Sequence, residues 1–137
     1  MSSSLASPIT VDFLEDSTAY IMCRVEGRAT SPNSRGTPYL QANLSAIALS
    51  VYDITDETAP VVVSGFSAST LTVSAVIFDT LQAWSVDNIG ANFAYALGPT
   101  AFPTGGNKYR VTVKWTHTDG SIGHTQWEGV AQAVDPS

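Results

Sequence analysis

The chain has 137 residues, of which 44% are hydrophobic and 13% charged, and twelve acidic against six basic residues give a net charge of −6. This length suits one domain that buries its own core, and a single cysteine, Cys23, excludes an internal disulfide. Six dispersed basic residues are too few for a nucleic-acid or anionic membrane surface, and no apolar run approaches the ~18 residues of a membrane span. We therefore expect neither nucleic acid nor a membrane as a partner.

Residues 1–17 open the chain with many serines and little hydrophobic periodicity. They lack the basic start and apolar block of a secretion signal, so we expect that no signal peptide directs secretion of the protein. We interpret residues 1–17 as an extended N-terminal arm and residues 18–137 as one folded domain. The alternation within residues 8–13 leaves a second interpretation open, in which this stretch is the first strand and only residues 1–7 are loose.

After the arm, hydrophobic residues alternate with polar ones, which is the period of a half-buried β-strand. In one such run, Tyr109 and Val111 alternate with Lys108 and Arg110. The pattern predicts long strands over residues 19–27, 45–53, 93–97, 108–117 and 121–134, and shorter ones over 61–66 and 71–74. The side chains predicted to line the core are Cys23, Ile47, Leu49, Val51, Val111, Val113, Trp115 and Trp127.

Two stretches interrupt the alternation. Residues 28–44 contain two prolines and a glycine, and connections of this length are usually functional or disordered. Residues 74–84 begin with β-branched side chains that favour a strand and continue with a stretch that favours a helical turn. For residues 74–84 we predict a loop that carries one short helical turn.

The last two long strands are predicted to form a hairpin. A three-residue loop over 118–120, with its glycine in the left-handed region, would place Val111 opposite Trp127 and Arg110 opposite Glu128. A two-residue loop would shift the register by one and turn Trp127 away from the core face. The three-residue loop is therefore the favoured prediction.

Candidate catalytic and metal-binding side chains are scattered along the sequence. His117 and His124, the only two histidines, fall on opposite faces of the predicted hairpin, whereas zinc needs three or four converging ligands. Cys23 lies among the apolar residues of a strand, where a thiol is usually buried and inert. The acidic residues of the turn 53–57 are of a kind that more often caps backbone groups. We therefore expect no enzymatic activity, no metal and no cofactor.

Three stretches together carry a family resemblance: SAIALSVYDIT from residue 45, FPTGGNKYRVTVKWTHTDG from residue 102, and WEGVAQAV from residue 127. With the strand over 19–27, they resemble the immunoglobulin-like domains of tailed-bacteriophage virion proteins, over about residues 18–134. Gly106 and Tyr109 match the glycine corner and the tyrosine that opens a long strand in those domains, and this tyrosine resembles the tyrosine corner of immunoglobulin folds. The resemblance implies an all-β, immunoglobulin-like antiparallel sandwich of seven to eight strands.

The resemblance also implies a role. We expect a non-enzymatic structural protein of the virion, most simply a capsid decoration or cement protein, with a neck or tail position as the next choice. Its partners would be the major capsid protein or neck and tail proteins. It would be made in the host cytoplasm, and in the virion it would be a homo-oligomer or be present in several copies. Apolar side chains of the arm and of the long loop are predicted to contact these partners: Leu5, Ile9, Phe13, Leu14, Tyr39 and Leu40.

A second function is compatible with the same fold. A carbohydrate- or receptor-binding module would need exposed aromatic side chains on one concave patch. The sequence offers two places for such a patch, around Trp84 and Tyr95 or around Tyr39.

Overall fold

The computed structural model describes residues 9–25, 40–84, 90–120 and 122–133. These residues form an all-β sandwich of two sheets. The strands are β1 (Ile9–Thr10), β2 (Phe13–Leu14), β3 (Ala19–Cys23), β4 (Leu44–Asp53), β5 (Val61–Val62), β6 (Ser69–Leu71), β7 (Ile77–Gln82), β8 (Ala91–Leu97), β9 (Lys108–His117) and β10 (Ile122–Gln132). One short α-helix, α1 (Val73–Val76), and two 3-10 turns, Gln41–Asn43 and Pro99–Ala101, complete the described elements.

The larger sheet has the strand order β1-β10-β9-β4-β5, with β2 also paired to β10 and β6 also paired to β4. The smaller sheet has the order β3-β8-β7. Neighbouring strands are antiparallel, except that β1 and β2 run parallel to β10. The described residues therefore form ten strands against the seven to eight expected, because β1 and β2 are two pieces in one register, and β5 and β6 share one edge of β4.

Aromatic side chains join the two sheets. Phe93 of the smaller sheet lies between Trp115 and Trp127 of the larger one, with ring centroids 4.9 Å and 6.0 Å away. The indole Nε1–H of Trp127 also donates a hydrogen bond across the sandwich to the carbonyl oxygen of Met22. All eight side chains predicted to line the core are buried, which confirms that prediction.

The hairpin of β9 and β10 has the predicted register. Val111 lies opposite Trp127 and Arg110 opposite Glu128. Gly120 has a φ of 92°, the left-handed conformation that the three-residue loop requires and that glycine adopts without a Cβ clash. The prediction of a three-residue loop is confirmed.

The segment over 74–84 differs from its prediction. Helix α1 comes first, and β7 follows it as an edge strand paired to β8. Ile77 is buried opposite Phe93, but the register then shifts before Gln82 pairs with Ala91. Because this edge strand buries little beyond one side chain and its register shifts, its sequence lacks the alternation that identifies a strand.

The N-terminal segment also differs from its prediction. Residues 9–14 of the expected arm are not extended away from the domain but are paired with β10. Phe13 is 2% exposed, and its ring stacks on Phe102 at a centroid distance of 4.1 Å. Gly129 permits this docking, because a Cβ at that position would overlap the carbonyl oxygen of Val11. The interpretation of 8–13 as the first strand is thus the better one over its described residues.

Candidate functional site

The six predicted partner-contact residues fall into four groups. Leu14 and Leu40 are exposed, at 51% and 44% of their surface, as a contact role requires. Ile9 is half-buried against the core, where it pairs with Trp127. Phe13 belongs to the core rather than to an interface, because its ring fills the space beside Phe102. Leu5 and Tyr39 lie outside the described residues.

Further exposed apolar side chains lie at both lateral edges of the sandwich. Tyr20 is 65% exposed and lies on β3, an edge strand of the smaller sheet. In the chain, β3 follows β2, which carries Leu14. At the opposite edge of the larger sheet, Val61 and Val62 of β5 are 63% and 42% exposed. The sequence offered no signal for these positions, since which strands form the edges depends on long-range pairing.

The aromatic patch suggested around Trp84 and Tyr95 is not formed. Tyr95 packs against the hydrophobic core and lies opposite Ile21 in the smaller sheet. Trp84 is half-buried, and the guanidinium carbon of Arg24 lies 5.9 Å from its ring centroid. A single half-buried indole covered by a cation does not provide an exposed aromatic surface.

The outer face of the larger sheet instead contains an open groove of about 380 Å³. Strands β4, β9 and β10 supply its polar lining, and the turn before β5 supplies an apolar ring. The lining residues are Tyr52, Pro60, Arg110, Thr112, His124 and Gln126.

Strand register sets the positions of the groove side chains. Tyr52 lies directly opposite Arg110 on the neighbouring strand, and Thr112 lies opposite Gln126. His124 precedes Gln126 by two residues on β10, so the two side chains lie on the same face of the sheet. The hairpin register, which the sequence predicted, brings Thr112 and Gln126 together, whereas the position of Tyr52 depends on the β4–β9 pairing.

Arg110 is held in place by a charged partner. Its Nε donates a hydrogen bond of 2.6 Å to Oε2 of Glu128, as the predicted cross-strand pair requires. Lys108 Nζ lies 3.9 Å from the other carboxylate oxygen of Glu128 and 3.4 Å from Glu57. Glu128 therefore holds the guanidinium through Nε, and its two terminal nitrogens make no hydrogen bond within the described residues.

A hydrogen-bonded turn follows β4 and precedes Pro60 in the chain. Asp53 accepts hydrogen bonds from the backbone N–H and hydroxyl of Thr55 and from the side-chain amide of Asn107. Partial desolvation raises the pKa of Asp53, but these hydrogen bonds to the charged form outweigh it and leave the pKa below its ordinary value. Lys108 N–H in turn donates to the Thr55 hydroxyl at 3.0 Å, so this turn is tied to the start of β9.

The corner before β9 is fixed by a tyrosine. The backbone N–H of Thr104 donates to the hydroxyl of Tyr109 at 3.0 Å, and that hydroxyl donates back to the carbonyl oxygen of Thr104. The ring of Tyr109 is buried edge-on against Phe102. A buried tyrosine that bonds the backbone a few residues upstream is the arrangement of a tyrosine corner.

The residues considered for catalysis or metal binding do not converge. Burial raises the pKa of the Cys23 thiol, which lies in the core, so it stays protonated. His117 makes a 3.0 Å contact with Asp119 in the hairpin turn, while His124 lines the groove. Within the ranges 9–25, 40–84, 90–120 and 122–133, no group of three or more histidine, cysteine or acidic side chains is placed to hold a metal ion.

Comparisons of this chain with known family models, with curated proteins and with solved structures find no match. In the part of the chain that the structure describes, no helix has both the length and the apolar character needed to cross a membrane.

Proposed function

We propose that this protein is a non-enzymatic structural subunit of a tailed-bacteriophage particle. Capsid decoration or cementing is the first choice of position, and a neck or tail position is the second. The observation that carries the proposal is a set of apolar edges: Leu14 lies at one edge of the larger sheet and Val61 and Val62 at the other, and Tyr20 lies on an edge strand of the smaller sheet.

These side chains contribute little to the fold, because each is exposed and the core is filled by other side chains. Exposed apolar side chains on edge strands promote contact with a further chain. Two such edges on opposite sides let one subunit contact a neighbour on each side, as a multi-copy layer or ring on a particle requires. At ~25 cal/mol per Å² of buried apolar surface, these four side chains would add several kcal/mol to such contacts before ordering costs are subtracted.

The corner at Tyr109 supports the family assignment within this proposal. The resemblance to phage immunoglobulin-like domains includes this tyrosine and Gly106 before it, and the tyrosine hydroxyl makes backbone hydrogen bonds like those of a tyrosine corner. Residues 9–14 pair in parallel with β10 at one edge of the larger sheet, and this pairing leaves the side chain of Leu14 exposed.

The experiment is incorporation into particles. Virus particles purified from the source of the sequence are analysed by mass spectrometry, and tagged variants are tested for incorporation. We expect the wild-type chain in the particles and about tenfold less of a Tyr20→Ser, Val61→Thr double variant, since loss of a few kcal/mol of contact energy costs at least this much.

The matched control is Ile122→Thr. Ile122 is also exposed, at 55%, but lies next to the hairpin turn, away from both edges. All variants should keep the wild-type melting temperature. Absence of the protein from the particles, or full incorporation of the double variant, would contradict the proposal.

A second candidate function is carbohydrate or receptor binding. The groove on the outer face of the larger sheet favours it, because an aromatic ring and several polar side chains from neighbouring strands converge there.

A further inference from the structure

The groove presents polar groups that the fold does not use. Within the described part of the chain, no hydrogen bond engages the hydroxyls of Tyr52 and Thr112, the ring nitrogens of His124 or the amide of Gln126. These groups can both donate and accept hydrogen bonds. They project from neighbouring strands, so their spacing is fixed before any ligand arrives, and a ligand that fits them loses little to ordering the site.

The groove lining contains one cation, which Glu128 pairs from outside the lining. Among its lining residues Arg110 is a cation and none is a carboxylate. Because Glu128 engages Nε, the two terminal nitrogens of Arg110 remain for a ligand. That pair of donors matches the two oxygens of a carboxylate.

The size and the apolar surface of the groove further restrict the class of ligand that can bind there. Its volume of about 380 Å³ is larger than a lone anion needs and lies at the small end of the range for small-molecule sites. The ring of Tyr52 and the ring of Pro60 offer apolar surface beside the polar groups. A pyranose ring presents hydroxyls at its rim and C–H groups on its faces, and this matches the same mixture.

We propose that the groove binds a saccharide that carries a carboxylate, such as a sialic or uronic acid unit. Arg110 pairs with the carboxylate, Tyr52 and Pro60 contact the C–H face of the ring, and Thr112, His124 and Gln126 hydrogen-bond its hydroxyls. The inference deepens the second candidate function. Absence of the protein from virus particles would not affect it, so the two proposals fail separately.

The test is a titration of the full chain, followed by NMR, with 3′-sialyllactose and with a disaccharide that contains glucuronic acid. Lactose is the neutral counterpart of the first probe. We expect at least one acidic saccharide to shift the backbone amide signals of β9 and β10 around the groove, and lactose to bind about tenfold more weakly, the cost of one charge-assisted pair.

Variants locate the binding. Arg110→Gln should weaken the acidic saccharide about tenfold, and Lys114→Gln, which removes a charge from the same face outside the groove, should change it less than about twofold because it is screened. Should Arg110→Gln fail to fold, because Glu128 is left without its partner, Gln126→Leu and Tyr52→Leu on the outer face test the same site.

Three outcomes would overturn the proposal. The first is no binding of either acidic saccharide at millimolar concentration. The second is equal binding of acetate, which would show an adventitious ion only. The third is tighter binding of a polyglutamate peptide at the same residues, which would assign the groove to an acidic protein segment.

Discussion

On strand β9, the side chains that point inward and those that point outward differ in most physical respects. The inward set is aromatic or branched and is at most 3% exposed, as for Val113 and Trp115. The outward set is charged or hydroxylated and half-buried or exposed, as for Arg110 and Lys114. The strand backbone is shared, so the two faces differ only in what surrounds each side chain.

Side chains that stabilise the fold and side chains that are free to bind a ligand therefore alternate along the same strand. Inward positions contribute through the removal of apolar surface from water, and they tolerate neither charge nor lost volume. Outward positions are backed by that core and can carry polar groups at little cost in folding free energy. Variants on the inner face should therefore change the free energy of unfolding, and variants on the outer face should change binding.

The largest effect is expected for Val113→Asp. Val113 is fully buried at the centre of β9, and an unpaired carboxylate there costs more than about 4 kcal/mol, a large part of a typical domain's stability. We expect an unfolded or aggregated protein by circular dichroism. Lys114→Asp, one residue along and exposed, should fold with nearly the wild-type melting temperature. Equal behaviour of the two variants would refute the assignment of faces.

The next effect concerns the N-terminal strands, where Phe13 and Leu14 repeat the contrast. Phe13→Ala removes a buried ring that stacks on Phe102 and should lower the free energy of unfolding by about 3–5 kcal/mol. Leu14→Ala removes a side chain that is 51% exposed and should cost below about 1 kcal/mol. Urea denaturation measures both. Similar small costs would mean that residues 9–14 do not dock on the sandwich.

Gly129→Ala tests the same docking from the other strand. The added methyl group overlaps the carbonyl oxygen of Val11, so residues 9–14 must shift or detach, and we expect a loss of about 2–4 kcal/mol, near that of a lost core contact. Gly123→Ala is the control on the same strand, since its nearest neighbour, Trp115 Cδ1, lies 3.7 Å from the new methyl group. A Gly129→Ala protein as stable as the control would contradict the close approach.

These N-terminal strands also mark the limit of what the sequence predicts. Local alternation identified β9 and the hairpin register, because both depend on residues close in the chain. The pairing of β1 with β10 joins Ile9 to Trp127, and nothing in the two-residue pieces encodes so distant a parallel partner. The helix–strand sequence at 73–82 was missed for a related reason, because an edge strand with one buried side chain carries little pattern.

The groove was predictable only in part. Thr112, Gln126 and Arg110 follow from the hairpin, and the sequence already placed Arg110 opposite Glu128. Tyr52 and Pro60 reach the groove through the β4–β9 pairing and the turn after β4, which are long-range features. Alternation therefore assigns each of these side chains correctly to the solvent-facing side of the sheet. The groove itself forms only where three strands lie side by side.

A smaller effect is expected for Cys23→Ala in the smaller sheet. The thiol is buried and its pKa is raised by desolvation, so it packs rather than reacts, and its loss should cost about 1 kcal/mol for the small volume removed. Tyr20→Ala, on the outer side of the same strand, should cost less although it removes a far larger side chain. Loss of particle binding by Cys23→Ala without loss of stability would contradict the packing role.

The smallest effect is expected for a change of Asp53, which lies at the boundary between the inner and outer faces. Asp53 ends β4 opposite Tyr109 and accepts hydrogen bonds from Thr55 and Asn107. Desolvation opposes the charged form, but the hydrogen bonds prevail and lower the folded-state pKa. A carboxyl whose pKa is lower in the folded state than in the unfolded chain stabilises the fold above the unfolded value of about 3.9. This contribution is lost as the pH falls through the folded pKa.

Asp53→Asn should therefore reduce the free energy of unfolding at pH 7 by less than about 1 kcal/mol, because water screens a half-exposed carboxylate. The difference between wild type and variant should shrink as the pH is lowered below about 4, and urea denaturation across this range measures it. Asp56→Asn removes the equivalent turn hydrogen bonds to Thr58 without a bond to Asn107, so comparison of the two variants isolates the Asn107 contact. A difference that grows towards low pH would mean that Asp53 is stabilised in its protonated form.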